Sequence, residues 1–222
     1  MIKAILFDLD ETLLDRNASI QLFLEEQYHR FAEPLAQVPF EEYRERFLLY
    51  DEHGYVAKEI VYARLVEEFK LAIDPAQLVD DFYTISYQPL LFPGTVTLLQ
   101  VLRAASYKLG IITNGSIRTQ QSKLDKGGLM PLVDVALISE AEGIRKPEAE
   151  LFLRATRQLD VEPHECVMVG DNPTADIGGA LALGMKTVWR RGHLPWPDNA
   201  SGSPHFTITT IADLHNIDWQ AL

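Results

Sequence analysis

Short apolar runs that stop at a polar or charged residue recur along this chain, and they constrain its fold more than any other feature. Residues 2–7 end at Asp8, residues 108–113 at Asn114-Gly115, and residues 166–169 at Gly170-Asp171. Residues 133–138, 186–189 and 206–208 are further strand candidates. Helix-like segments lie between them, near 95–105, 117–126, 148–159 and 174–183. Such alternation predicts an α/β fold: a doubly wound parallel sheet with helices on both faces. Ligands of such sheets bind beyond the carboxyl ends of the strands, so chemistry is expected just after each run.

Residues 15–88 read differently. Ile20, Phe23, Leu24, Tyr28 and Phe31 recur at helical spacing after Ser19, a candidate N-cap. Pro34 and Pro39 interrupt the pattern. Phe40, Tyr43, Phe47 and Leu48 form a second stripe, and Val61, Leu65 and Phe69 a third. Asp74-Pro75 is a helix start, N-cap then N1 proline, ahead of Leu78, Val79, Phe82 and Tyr83. Four amphipathic helices predict a small bundle with these residues as its core. The expected organisation is a core of residues 1–14 and 89–222 with an inserted helical domain at 15–88.

Composition narrows the function. The formal net charge is −12, and residues 15–88 alone hold 15 acidic and 7 basic side chains. A polyanion-binding role relies on Lys and Arg, so nucleic acid and anionic membrane are not expected partners. No apolar run approaches the roughly 18 residues of a spanning helix. The opening apolar run is too short for a secretory signal, and a cytoplasmic location is the expectation. The single cysteine, Cys166, excludes an internal disulfide and a multi-cysteine zinc site. It begins a strand candidate and reads as an inert core thiol.

Four constellations follow the strand candidates. Asp8-Leu-Asp10-Glu-Thr12 places two carboxylates two residues apart, which an extended backbone directs to one pocket. Two close anions need a cation or a proton between them. Thr113-Asn114-Gly115 offers a hydroxyl and turn N–H groups suited to phosphate oxygens. Lys146-Pro147 opens the helix-like segment at 148–159 and can aim an ammonium at an anion. Gly170-Asp171-Asn172-Pro173-Thr174-Ala175-Asp176 supplies hard carboxylate oxygens that suit Mg²⁺.

Taken in order, this set resembles the haloacid dehalogenase superfamily, whose hydrolases carry D-x-D-x-T, a Ser/Thr, a Lys and a G-D-x-x-x-x-D type motif. The resemblance spans the chain and implies a Rossmann-like core, with the inserted helices as a type-1 cap. It implies that Asp8 is the nucleophile that forms an aspartyl-phosphate and that Asp10 is the acid and base. Thr113 and the backbone N–H of Asn114 would hold the phosphoryl group, and Lys146 would balance its charge. Asp8, Asp171 and the backbone carbonyl of Asp10 would bind Mg²⁺. Thr12 would shape the loop, and Asp176 would orient Lys146 or a metal-bound water. The implied reaction is Mg²⁺-dependent hydrolysis of a small phosphorylated metabolite.

Rival readings within that resemblance are a phosphomutase of the β-phosphoglucomutase type, which would use the same residues, and a non-catalytic binding protein. The second would be expected to lack Asp8, Asp10, Lys146 or Asp171, all present here. Dehalogenases and phosphonatases of the superfamily usually replace the second Asp, which Asp10 retains. Leaving-group contacts would come from the helical insertion, where Arg16, Arg44 and Tyr50 are candidates by type and segment. Lys58 reads as an exposed lysine at a helix start, with substrate contact as the minority reading. Arg190-Arg191 read as solvated, His193 and His205 as surface or edge residues. Residues 192–204 read as a loop.

Overall fold

The computed structural model describes residues 1–84, 88–200 and 202–221. Two compact units emerge: Met1–Arg16 with Pro89–Leu222, and Asn17–Gln88.

Six strands form the sheet of the first unit among the described residues: β1 Ala4–Phe7, β2 Lys108–Thr113, β3 Val135–Ile138, β4 Cys166–Gly170, β5 Lys186–Arg190 and β6 Phe206–Ile208. All pairings are parallel, in the order β3-β2-β1-β4-β5-β6. The central strands β1, β2 and β4 are largely apolar and buried, because both faces of the sheet are covered there. Ile5, Phe7, Ile111, Val167 and Val169 belong to one core cluster. Their neighbours Ala4, Leu6, Ile112, Cys166 and Met168 belong to another. Cys166 is fully buried, as an inert thiol should be.

The second unit holds α1 Arg16–Arg30, whose first residue closes the other unit, then α2 Ala32–Leu35, α3 Phe40–Asp51, α4 Lys58–Phe69 and α5 Pro75–Thr84. The aromatic stripes form its core, with Phe23, Tyr43, Phe47, Tyr62 and Phe82 buried. Asp74 caps α5, its Oδ1 accepting from Ala76 N at 2.9 Å. Two expectations need correction. Asp15 N donates to Leu90 O, which fixes the chain up to that point, and α1 starts at Arg16, so Ser19 lies in its first turn and is no N-cap. Pro34 does not end helical structure, because α2 is so short that its missing N–H falls in the first turn.

Helix α6 Thr95–Ala104 and α7 Ile117–Lys126 contribute Leu98, Leu99, Leu102 and Leu124 to the first cluster. After the single turn α8 Ser139–Glu142, α9 Ala149–Gln158 contributes Leu151, Phe152 and Ala155 to the second. The segment expected as a helix over 174–183 is broken in two: a wide π turn, Pro173–Gly178, and the short α10 Gly179–Leu181. Asn172 and Asp176 side chains take up backbone N–H groups there, which shapes the first turn around the site.

The register places the site. Phe7 is level with Ile111 on β2 and with Val169 on β4. The chain runs from β1 to β2 and β3 on one side, and through β4, β5 and β6 on the other. This reversal beside β1 opens a crevice at the carboxyl ends of the strands. Asp8 and Asp171 each follow directly on the strands that flank it.

Candidate active site

Asp8 continues β1, its N–H donating to Val169 O at 2.9 Å. The chain then turns sharply. Leu9 O accepts from the N–H groups of Thr12, Leu13 and Leu14, and Glu11 adopts a left-handed φ of 56°. Thr12 is buried and its Oγ1 donates to Asp8 Oδ2 at 3.2 Å. Arg190 locks the same turn: its Nη1 donates to Glu11 O at 2.6 Å, and its guanidinium lies 3.9 Å from the Phe92 ring centroid. The expectation of a solvated Arg190 is therefore wrong; the side chain is buried by the turn it holds. Arg191 is exposed.

Lys146 Nζ stands 2.6 Å from Asp8 Oδ1 and 2.7 Å from Asp176 Oδ1, and is 2% exposed. A buried ammonium at that depth is stable only when paired. Its backbone is held by Asn114, whose carboxamide accepts from Lys146 N at 2.9 Å and donates to Lys146 O at 3.0 Å. Asp176 is fixed from its other oxygen, Oδ2 accepting from Asn172 N at 2.9 Å. Asp171 carries Trp189 on its carbonyl, the indole N–H donating at 2.8 Å. Gly192, at the start of the loop after β5, passes so close that a Cβ there would lie 3.5 Å from Asp171 Oδ2.

Carboxylate oxygens of Asp8, Asp171 and Asp176 lie within 4.8 Å of one another, all three residues buried. Burial raises the pKa of Asp8; Lys146 opposes this and the charge of Asp176 adds to it. Burial, then the charges of Asp8 and Asp176, push Asp171 well above the ordinary carboxylate range. For Lys146 burial works against the charge, but Asp176 and Asp8 outweigh it and its pKa is raised. One lysine thus does not compensate three acids. The donor set is all oxygen, hard and anionic, and fits a small divalent cation such as Mg²⁺.

Asp10 lies apart from that cluster. Both its oxygens meet Lys123 Nζ, at 2.7 and 2.6 Å, and Oδ2 also accepts from Gln120 Nε2 at 2.9 Å. Gln120 Nε2 donates to Thr113 Oγ1 as well, at 2.6 Å. Burial raises the pKa of Asp10, but Lys123 and Arg16 win and the net shift is downward. The structure therefore brings Asp8, Thr12, Lys146, Asp171 and Asp176 together, with Asn114 bracing Lys146 and Thr113 tied to Asp10. Gln120 and Lys123 were not anticipated from sequence. Their signal is faint: with Leu124 they fall at i, i+3 and i+4, the spacing of one helix face, which marks α7 as burying polar residues beside an apolar one.

In the helical unit, Lys58 opens α4 but is buried, not exposed. Its Nζ lies 2.6 Å from Asp51 Oδ1 and donates to Val56 O at 3.2 Å. Arg44 pairs with Glu41. Tyr50 donates to Glu68 Oε2 at 2.7 Å. His205 is exposed on the edge strand side, its Nδ1 3.1 Å from Thr187 Oγ1.

Comparison with known proteins agrees with this architecture. The family model for haloacid dehalogenase-like hydrolase matches residues 2–184. A glyceraldehyde 3-phosphate phosphatase of Pyrococcus abyssi is 33% identical over 196 residues, covering 85% of this chain and 81% of its own. The magnesium-bound crystal structure of the HAD-hydrolase YfnB from Bacillus subtilis is 25% identical, with TM-score 0.75 and 97% of each chain covered. A 2-haloacid dehalogenase from Pseudomonas syringae is 30% identical, with TM-score 0.66, 100% of this chain and 99% of its own covered. The chain belongs to the haloacid dehalogenase-like hydrolases, and it is an enzyme of that class.

Proposed function

We propose that this protein is a Mg²⁺-dependent phosphatase acting on a small phosphorylated metabolite, with Asp8 as nucleophile. The observation that carries the reading is the double pairing of Lys146 with Asp8 and Asp176 beside the third buried acid, Asp171. That arrangement presents a carboxylate as nucleophile in a pocket where one lysine offsets only part of the negative charge and a cation would offset the rest. Asp8, Asp171 and the backbone carbonyl of Asp10 are the groups that would hold Mg²⁺, which supplies the positive charge a phosphoryl dianion needs among these acids.

An Asp8 oxygen attacks phosphorus, and the bond from phosphorus to the ester oxygen breaks. The leaving oxygen takes a proton from Asp10, which Lys123 and Arg16 favour as the carboxylate and which therefore takes up a proton with the substrate before it donates one. Water then attacks the phosphoryl group and gives a proton back to Asp10, and Asp8 and inorganic phosphate separate. Thr113 donates its hydroxyl to a phosphoryl oxygen; because Oγ1 already accepts from Gln120, its own hydrogen is free to point elsewhere. Lys146 stabilises the charge that Asp8 and the phosphoryl group carry together.

The dehalogenase alternative is disfavoured by Asp10 and by the three-acid cluster, since displacement of halide needs neither a proton donor for the leaving group nor a cation site. The phosphatase named among the relatives supports a small substrate. The test is hydrolysis of an aryl phosphate with Mg²⁺ and with EDTA, for wild type and for Asp8→Asn. Turnover that needs Mg²⁺ and vanishes in the variant is the expected result. Turnover that survives Asp8→Asn would overturn the assignment of the nucleophile.

A further inference from the structure

The phosphatase reaction leaves Lys123 without a role, yet its ammonium is buried and held on three acceptor oxygens. It lies on α7, near a helix end where lysines are ordinarily solvated, and is only 4% exposed. Removing an ammonium from water costs several kcal/mol unless its hydrogens are taken up. Here Nζ grips both oxygens of Asp10, at 2.6 and 2.7 Å, and donates to Gln120 Oε1 at 2.8 Å. Gln120 in turn spends its two N–H groups on Asp10 Oδ2 and Thr113 Oγ1. The result is a closed polar chain, Thr113–Gln120–Asp10–Lys123, three of whose members come from α7 or the strand before it.

We propose that Lys123, seated by Gln120, is a positioning residue that fixes the Asp10 carboxyl for proton transfer to the leaving oxygen. The proposal rests on the phosphatase reading. Asp10 opens a sharp turn, and its neighbour Glu11 is left-handed, so the backbone alone leaves the carboxyl free to rotate about its own side-chain bonds. Holding both oxygens from one side removes that freedom. The shared Gln120 relates the orientation of Asp10 to that of Thr113, the hydroxyl assigned to the phosphoryl group. A proton donor must sit within hydrogen-bond reach of the atom it serves, and a displacement of about 1 Å is worth about 100-fold in rate.

The experiment separates positioning from packing by the chemistry of the leaving group. An aryl phosphate expels a stable phenolate and needs little proton donation; an alkyl phosphate, such as glycerol phosphate, needs it fully. Wild type, Lys123→Met, Lys123→Arg, Asp10→Asn and the double variant Lys123→Met/Asp10→Asn are assayed on both esters, with melting temperature as the check on folding. In Lys123→Met, kcat on the alkyl ester is expected to fall about 100-fold, the aryl ester to lose far less, and KM to stay put. Lys123→Arg is expected to recover part of the loss, and Lys123→Met to add nothing once Asp10 is Asn. Equal losses on the two esters, or full additivity in the double variant, overturn the proposal alone. A wild type inert on both esters overturns the phosphatase reading, and the proposal with it.

Discussion

The Asn114 carboxamide and the Lys146 backbone clasp each other in both directions, Nδ2 to O at 3.0 Å and N to Oδ1 at 2.9 Å. This clasp joins the end of β2 to the loop before α9 across 32 residues of sequence, and it sets the height at which the lysine enters the site. Asn114→Ala removes both bonds at once. The Lys146 N–H and carbonyl then lose partners in a half-buried place, at about 1–3 kcal/mol. The larger expected effect is on turnover, about 10- to 100-fold in kcat, because the ammonium loses its alignment with Asp8. Steady-state kinetics beside urea unfolding will test it; a variant that loses stability but keeps kcat would show that the clasp serves only folding.

Gly170 closes β4 with no room for a side chain. A Cβ there would lie 2.4 Å from Asp176 Oδ2 and 2.5 Å from the Asp176 Cβ. Gly170→Ala therefore pushes Asp176 away from Lys146 or bends the π turn that carries it. Overpacking of this kind costs about 1–3 kcal/mol. Since Asp176 and Asp8 share the lysine, the same variant is expected to lose most of its phosphatase activity. A crystal structure or a melting curve close to wild type would refute the steric argument.

Much of this architecture was legible because the sheet is covered on both faces. The central strands β1 and β4 therefore read as unbroken apolar runs, and each end is marked by the first charged residue, Asp8 after β1 and Asp171 after β4. The four constellations follow from those ends. What escaped was polar but buried. Lys123, Gln120, Lys58 and Arg190 look like surface residues by type, and only the neighbours they meet reveal otherwise. Lys58 finds Asp51, and Arg190 finds the carbonyl of Glu11. These partners lie on other elements or in turns, which periodicity within one helix or strand does not register.

The helical unit holds a comparable buried polar knot. Gln27 is fully buried; its Oε1 accepts from Tyr43 and Tyr62 at 2.9 and 2.8 Å, and its Nε2 donates to Asp81 Oδ2 and to Leu78 O. Asp81 is completed by Arg30, at 2.8 Å on each oxygen. Gln27→Leu is expected to destabilise the protein by about 2 kcal/mol or more, since two hydroxyls, a carboxylate oxygen and a carbonyl each lose a partner together. Tyr43→Phe removes one donor and leaves Tyr62 on the same oxygen, so its cost is expected below about 1 kcal/mol. Urea unfolding of both variants gives the comparison, and equal losses would contradict the shared-acceptor account.

Stability and metal binding should depend on pH in a direction set by the acid cluster. Burial, with the charge of Asp176 adding to it, raises the pKa of Asp8 and Asp171 above the ordinary carboxylate range. Without metal, the folded protein therefore holds protons on these carboxyls that the unfolded chain releases. Stability falls as pH rises wherever the native state binds more protons, so the metal-free protein loses stability from acid through neutral pH. Mg²⁺ held by these carboxyls would have to displace those same protons, so its binding is expected to tighten as pH rises. The melting temperature in EDTA is thus expected to be lower at pH 8 than at pH 6, and the increase caused by millimolar Mg²⁺ to be larger at pH 8. Asp171→Asn removes one acid and one ligand oxygen's charge; it should raise the EDTA melting temperature at pH 8 and abolish most of the Mg²⁺ response. A Mg²⁺ response that is the same at both pH values, or that persists in Asp171→Asn, would place the cation elsewhere.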